Sequence, residues 1–162
     1  MVDINIVKTP KKYESMADEV VRELLGLLEE LLTVQERAAL RYQRLKQKSL
    51  TLKEKSDRSS EIFDKVCKEY AEVIAGRCTE KEMVLKHPSH IGQTAEYAYI
   101  KGEYAVDCTV SRTDTATVIT HFQAEGRGGK HKFVLKLVDG RWLVDAVYFG
   151  FEGERRWFYT EL

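Results

Sequence analysis

The dipeptide Asp139-Gly140 sits between two alternating apolar stretches, Lys132–Val138 and Arg141–Phe151. A two-residue Asp-Gly connection is the signature of a type I′ hairpin, because both central positions need positive φ. The last third of the chain must therefore hold at least one antiparallel strand pair. Phe133, Leu135 and Leu137 fall on one face of the first strand. Counting by twos puts Trp142, Val144 and Ala146 on one face of the second, and Leu143, Asp145 and Val147 on the other. Apolar residues on both faces predict a curved sheet with its second face partly enclosed.

The period of two begins near Tyr97. Glu96–Lys101, Tyr104–Val110, Thr115–Gln123 and Arg156–Thr160 complete the expected strands. Glu125–Lys130, rich in glycine, reads as a loop between two of them. It fails as a phosphate loop, since Ala124 stands where the first glycine should be and His131 replaces the hydroxyl residue after the lysine.

Up to about Cys78 the period is helical. Val20, Leu24, Leu27, Leu28, Leu31 and Leu32 make one broad apolar face. Thr9-Pro10 is a start signal, and Thr33-x-x-Glu36 and Thr51-x-x-Glu54 match the capping box. Three helices result, about 10–32, 33–49 and 52–77. The competing reading is one unbroken helix from 10 to 49, because the stripe Leu24, Leu27, Leu31, Val34, Ala38, Leu45 crosses the proposed break. Ile62, Phe63, Val66, Tyr70, Val73 and Ile74 form the buried stripe of the last helix, with Gly76 as its stop. Thr79-x-x-Glu82 suggests one more short turn, and His87-Pro88-Ser89 a loop. Helices followed by consecutive strands predict a single α+β domain over 1–162: a helical half (about 10–78) packed on an antiparallel sheet (about 96–160).

A chain of 162 residues with 43% apolar content can bury one core. Its formal net charge is zero, which does not favour a nucleic-acid partner. Cys67, Cys78 and Cys108 are widely spaced and odd in number, as expected of reduced thiols in the cytoplasm. The N-terminus lacks a signal-like apolar stretch, and no run reaches the roughly 18 apolar residues of a membrane span. No membrane partner is expected, although a secreted protein whose leader was removed stays open.

No catalytic set emerges. His87 and His90 lack further metal ligands, and neither a metal nor a cofactor is expected. His121 lies mid-strand and reads as a satisfied or surface histidine. Asp107 and Asp145 occur in apolar settings and read as structural carboxylates rather than general bases. A basic run from Arg37 to Arg58, including Arg41 and Arg44, follows an acidic one at Glu14, Asp18, Glu19, Glu23, Glu29 and Glu30. The simplest reading is two solvated helix faces whose charges offset each other. The C-terminal aromatics Tyr148, Phe149, Phe151, Trp157, Phe158 and Tyr159 are too dense for all to be core, and Tyr and Trp are preferred interface anchors.

Lys130-His-Lys-Phe-Val-Leu-Lys-Leu-Val-Asp-Gly-Arg-Trp-Leu-Val-Asp145, with the Tyr148–Trp157 continuation, resembles the penultimate hairpin of nuclear transport factor 2-like domains, and most of all the bacterial immunity proteins of that fold. The resemblance covers about the last third of the chain. It implies helices packed on a cone-like, strongly curved sheet and a non-enzymatic protein that neutralises a cognate toxin by occluding its active site. Arg41, Arg44, Tyr99, His121, Tyr148, Trp157 and Tyr159 are the candidate contact residues. Enzymes of the same superfold, lyases and isomerases, place Asp, His or Tyr inside the cone, where Asp107, His121, Tyr97, Tyr99 and Tyr104 would serve. A homodimeric scaffold using the sheet face is a third reading.

Overall fold

A computed structural model describes residues 2–81, 95–124 and 126–162. His87, Pro88, Ser89, His90 and the Glu82 end of the Thr79 motif lie outside the described residues.

The chain is α+β, a long helix pair packed on a six-stranded sheet in the order β1-β2-β3-β4-β5-β6. The strands are β1 (Ile4–Ile6), β2 (Tyr104–Arg112), β3 (Thr115–Ala124), β4 (Arg127–Val138), β5 (Arg141–Phe151) and β6 (Phe158–Thr160). The helices are α1 (Glu14–Lys46) and α2 (Leu52–Ile74). The sheet is mixed, not wholly antiparallel, because β1 pairs parallel to β2. Three residues are too few for a periodic signal, so this strand escapes sequence reading.

The unbroken-helix reading holds for α1. Thr33 does not start a new helix; its hydroxyl donates back to the Glu29 carbonyl at 3.0 Å. Leu31, Leu32, Val34 and Ala38 are all buried, so the core stripe runs straight through the proposed break. Thr51 does form the expected capping box: its Oγ1 accepts from the Glu54 N–H, and the Glu54 carboxylate accepts from the Thr51 N–H. Gly76 follows α2 at φ 71°. Thr9 plays no capping role. Its hydroxyl accepts the Val110 N–H at 3.0 Å and ties the β1 segment to β2, and a short 3-10 turn over Lys11–Tyr13 leads into α1.

Ala98–Lys101 is a 3-10 turn rather than a strand. Tyr97 and Ile100, three apart, both pack on the core, and the Ile100 N–H donates to the Tyr97 carbonyl. The Gly-rich segment is mostly strand. Ala124 already pairs with Arg127, and β4 runs on through Gly128 and Gly129. Glycine is needed at both because a Cβ on Gly128 would meet Glu152 at 2.7 Å, and one on Gly129 would meet the Phe122 ring at 2.8 Å.

The hairpin turn is as expected, with Asp139 at φ 49° and Gly140 at φ 78°. The facing of β5 is not. Leu135 pairs with Val144 and Val134 with Ala146, leaving Asp145 as the extra residue of a β-bulge. Alternation shifts there by one. Trp142, Val144 and Val147, not Ala146, join the core with Phe133 and Leu135. The core lies between this inner face and the helices. α1 contributes Ala17 through Ala38, and α2 contributes Val66, Tyr70 and Ile74. Phe63, expected inside, is 41% exposed. α1 lies against β1, β2, β3 and β5, leaving the opposite sheet face without a helix among the described residues.

Candidate functional site: the outer face of the sheet

Side chains that alternate with the core residues point to the outer face. On β4 these are Lys130, Lys132 and Lys136; on β2 and β3 they include Asp107 and His121; on β5 and β6, Tyr148 and Tyr159. Three groups of contacts organise this face.

At one end His121 is held between two carboxylates. Its Nε2 lies 2.9 Å from Asp107 Oδ2, and its Nδ1 bonds Glu152 Oε1. Asn5 donates to the other Asp107 oxygen at 2.9 Å, linking β1 to the cluster. A carboxylate only accepts, so both bonds form together only when the ring is an imidazolium donating from both nitrogens. Burial opposes that charge, but the bonds to Glu152 and Asp107 and their attraction outweigh it and raise the pKa above the usual value.

In the middle, Lys130 and Lys132 stack on aromatic rings. Lys130 Nζ is 4.5 Å from the centre of the Trp157 ring, and Lys132 Nζ is 4.5 Å from Tyr148 and 4.6 Å from Trp157. Burial and then the charge of Lys130 lower the Lys132 pKa. Tyr148 packs on Tyr159 across the β5–β6 pair, with ring centres 5.2 Å apart. Gly150 makes room for Trp157, since a Cβ there would lie 3.1 Å from the indole.

At the far end Asp145, thrust out by the bulge, accepts from Thr79 Oγ1 at 2.8 Å and Lys81 Nζ at 2.7 Å, with Lys136 at 3.5 Å. Burial would raise its pKa, but the bonds from Lys81 and Thr79 and the charges of Lys81 and Lys136 lower it. That is the opposite of a general base tuned for neutral pH. Asp145 ties the 77–79 segment, which pairs with Val144 beside it, to the sheet.

The inner face carries a second polar group. Tyr99 Oη lies 2.8 Å from Thr120 Oγ1 and 3.0 Å from His131 Nδ1, and His131 Nε2 faces Glu96 at 3.2 Å. His131 is 2% exposed. Tyr99 stacks on Phe122 with ring centres 4.0 Å apart, and burial raises its pKa strongly. Tyr97 and Phe133 are buried against this network, and Trp142 is buried farther along the same face, opposite Leu137.

The seven candidate contact residues therefore separate into three places. His121, Tyr148, Trp157 and Tyr159 share the outer face. Tyr99 is on the inner face, and Arg41 and Arg44 are on the last turns of α1. Arg41 is engaged with Glu69 at 3.1 Å. Lys130, Lys132 and Glu152 were missed. The Lys130-His-Lys132 alternation signalled outward lysines, but only the bulge-shifted register brings Lys132 opposite Tyr148.

Both His121 nitrogens are occupied, which leaves no free nitrogen to take a proton from a substrate. Its two carboxylates bond opposite sides of the ring and do not converge, and no metal-binding group occurs among the described residues. The three cysteines are free; burial pushes the Cys78 thiol up to about 12 and Cys108 to about 11, far from reactive thiolates. What the outer face can do is present fixed charges and aromatic surface to another molecule. Among the described residues no helix is long and apolar enough to cross a membrane. Comparison with protein-family models, curated proteins and solved structures finds no match.

Proposed function

We propose that this chain is a bacterial immunity protein with a nuclear transport factor 2-like cone, which binds a cognate toxin through the outer face of its sheet and occludes the toxin's active site in the cytoplasm. The observation that carries this reading is the set of aromatics Tyr148, Trp157 and Tyr159, ordered by Lys130 and Lys132 on a sheet face that no described helix covers. Aromatic anchors held rigid before binding lose little side-chain entropy on association. The fixed carboxylates of Asp107 and Glu152 beside them supply a pattern of charge that selects one partner over another. The likeness of the Lys130–Asp145 hairpin to immunity proteins points the same way. Among the described residues, the packing of Tyr97, Phe133 and His131 on the inner face weighs against a lyase or isomerase working in a cone cavity.

Co-expression with the product of the adjacent gene tests the reading. A stable complex and rescued growth are expected. Trp157→Ala and Tyr159→Ala each weaken the complex by about 2 kcal/mol, as truncation of an interface anchor does. Absence of both complex and rescue overturns the proposal.

A further inference from the structure

The helical hairpin extends past the core. No residue of α1 after Ala38 and none of α2 before Ile62 belongs to it. At 1.5 Å per residue, Glu19 and Arg44 lie roughly 38 Å apart along the continuous α1, several times the ~8 Å screening length at physiological salt. The outer ends of the two runs are therefore screened from each other, while Glu30 and Arg37 at their inner ends lie about 10 Å apart along α1. Residues 37–58 hold eight cations and two carboxylates. That stretch carries +6, and because the chain is neutral the remainder carries −6.

Within 37–58 only Arg41 has an ion-pair partner among the described residues. At the apex, Leu52 is 89% exposed, flanked in sequence by Lys48 and Lys53.

We propose that this tip docks on an anionic lipid surface. An exposed leucine at the turn between α1 and α2, with exposed Lys46, Lys48 and Lys53 close to it in sequence, places its apolar atoms at the acyl boundary and the ammonium groups among the headgroups. Protein interfaces favour arginine and aromatics and are depleted in lysine. The turn itself, residues 46–53, has Lys46, Lys48 and Lys53 and no aromatic ring; the arginines of the stretch and Tyr42 lie farther along the two helices. Single-stranded nucleic acid is bound on successive stacking rings, and residues 37–58 hold the ring of Tyr42 alone; a duplex gives an exposed leucine nothing to bury against. The expectation of no membrane partner rested on the lack of a spanning segment, which peripheral docking does not need. The inference is independent of the toxin-binding reading, which uses the sheet.

Co-sedimentation of the full chain with vesicles tests it, comparing phosphatidylcholine alone with an equimolar mixture of phosphatidylcholine and phosphatidylserine. Binding to the mixed vesicles only, weakening with salt, is expected. Lys48→Gln and Lys53→Gln each weaken it about fivefold, and Leu52→Ser weakens it with an unchanged salt dependence. All three positions are exposed, and unchanged melting of the variants verifies that they fold. No binding to mixed vesicles overturns the proposal. So does binding that Leu52→Ser leaves intact and that a polyglutamate peptide or a DNA duplex competes away, which marks a generic polyanion site.

Discussion

Glu152 reaches His121 by passing over Gly128. The Glu152 Cβ and Cγ occupy the space a Gly128 side chain would fill, at 2.9 and 2.7 Å from the Cβ position, and the carboxylate ends on His121 Nδ1. Those carbons sit close to the Glu152 backbone and cannot swing aside as a side-chain tip would. Gly128→Ala is therefore expected to break the Glu152–His121 bond and leave only Asp107 on the ring. An NMR titration of the His121 ring protons checks this: the pKa falls towards the ordinary histidine value of about 6.5. An unmoved titration sinks the idea.

The same clamp makes stability depend on pH in a defined direction. The folded-state pKa of His121 is raised, so the protein binds this proton more tightly than the unfolded chain. Its contribution is full below the unfolded value of about 6.5 and is lost as pH rises through the folded pKa. Thermal melts across that window are expected to lose stability with rising pH, and His121→Gln flattens the trend. Equal slopes in both proteins argue against the clamp.

Asp145 gives the opposite sign. Its folded pKa is lowered, chiefly by Lys81 and Thr79 against the opposing effect of burial. The stabilisation is present above the unfolded carboxylate pKa of about 3.9 and is lost as pH falls through the folded value. Asp145→Asn is expected to cost about 2 kcal/mol at neutral pH, from loss of charge-assisted bonds to a group that is 5% exposed. Urea denaturation at neutral and acid pH measures it: the difference between the two proteins shrinks in acid.

Thr51→Ala removes one half of the capping box of α2 and is expected to cost about 1 kcal/mol. Thr33→Ala, at the motif of identical pattern, costs little, because the Thr33 hydroxyl only returns to a carbonyl within α1. Chemical denaturation of the pair separates a working cap from a coincidental motif; equal losses contradict the assignment.

Phe133→Ala empties a fully buried ring site facing Tyr97 and His131. A loss of about 3–5 kcal/mol is expected from transfer and cavity terms. A loss under about 1 kcal/mol, read from urea midpoints, indicates that the inner face is not packed there.

The sequence by itself determined the features whose cause is local. Asp139-Gly140 forms its turn because the required φ angles belong to those two residues. The α1 stripe and the Thr51 cap rest on neighbours within one or two turns. That the two helices precede the consecutive strands β2 to β6, and hence the α+β class, followed from the change of period, which the fold places at Tyr104. Tertiary structure decided what depends on distant partners. The Asp145 bulge answers Thr79, Lys81 and Lys136, and it alone moves Val147 into the core and brings Lys132 opposite Tyr148. Gly128 and Gly129 look like loop residues until Glu152 and Phe122 lie across them. Ile4–Ile6 becomes a strand only because β2 offers a free edge. The outer face combines β2, β3, β4, β5 and β6, and its members, from Asp107 to Tyr159, become neighbours only when long-range register is set.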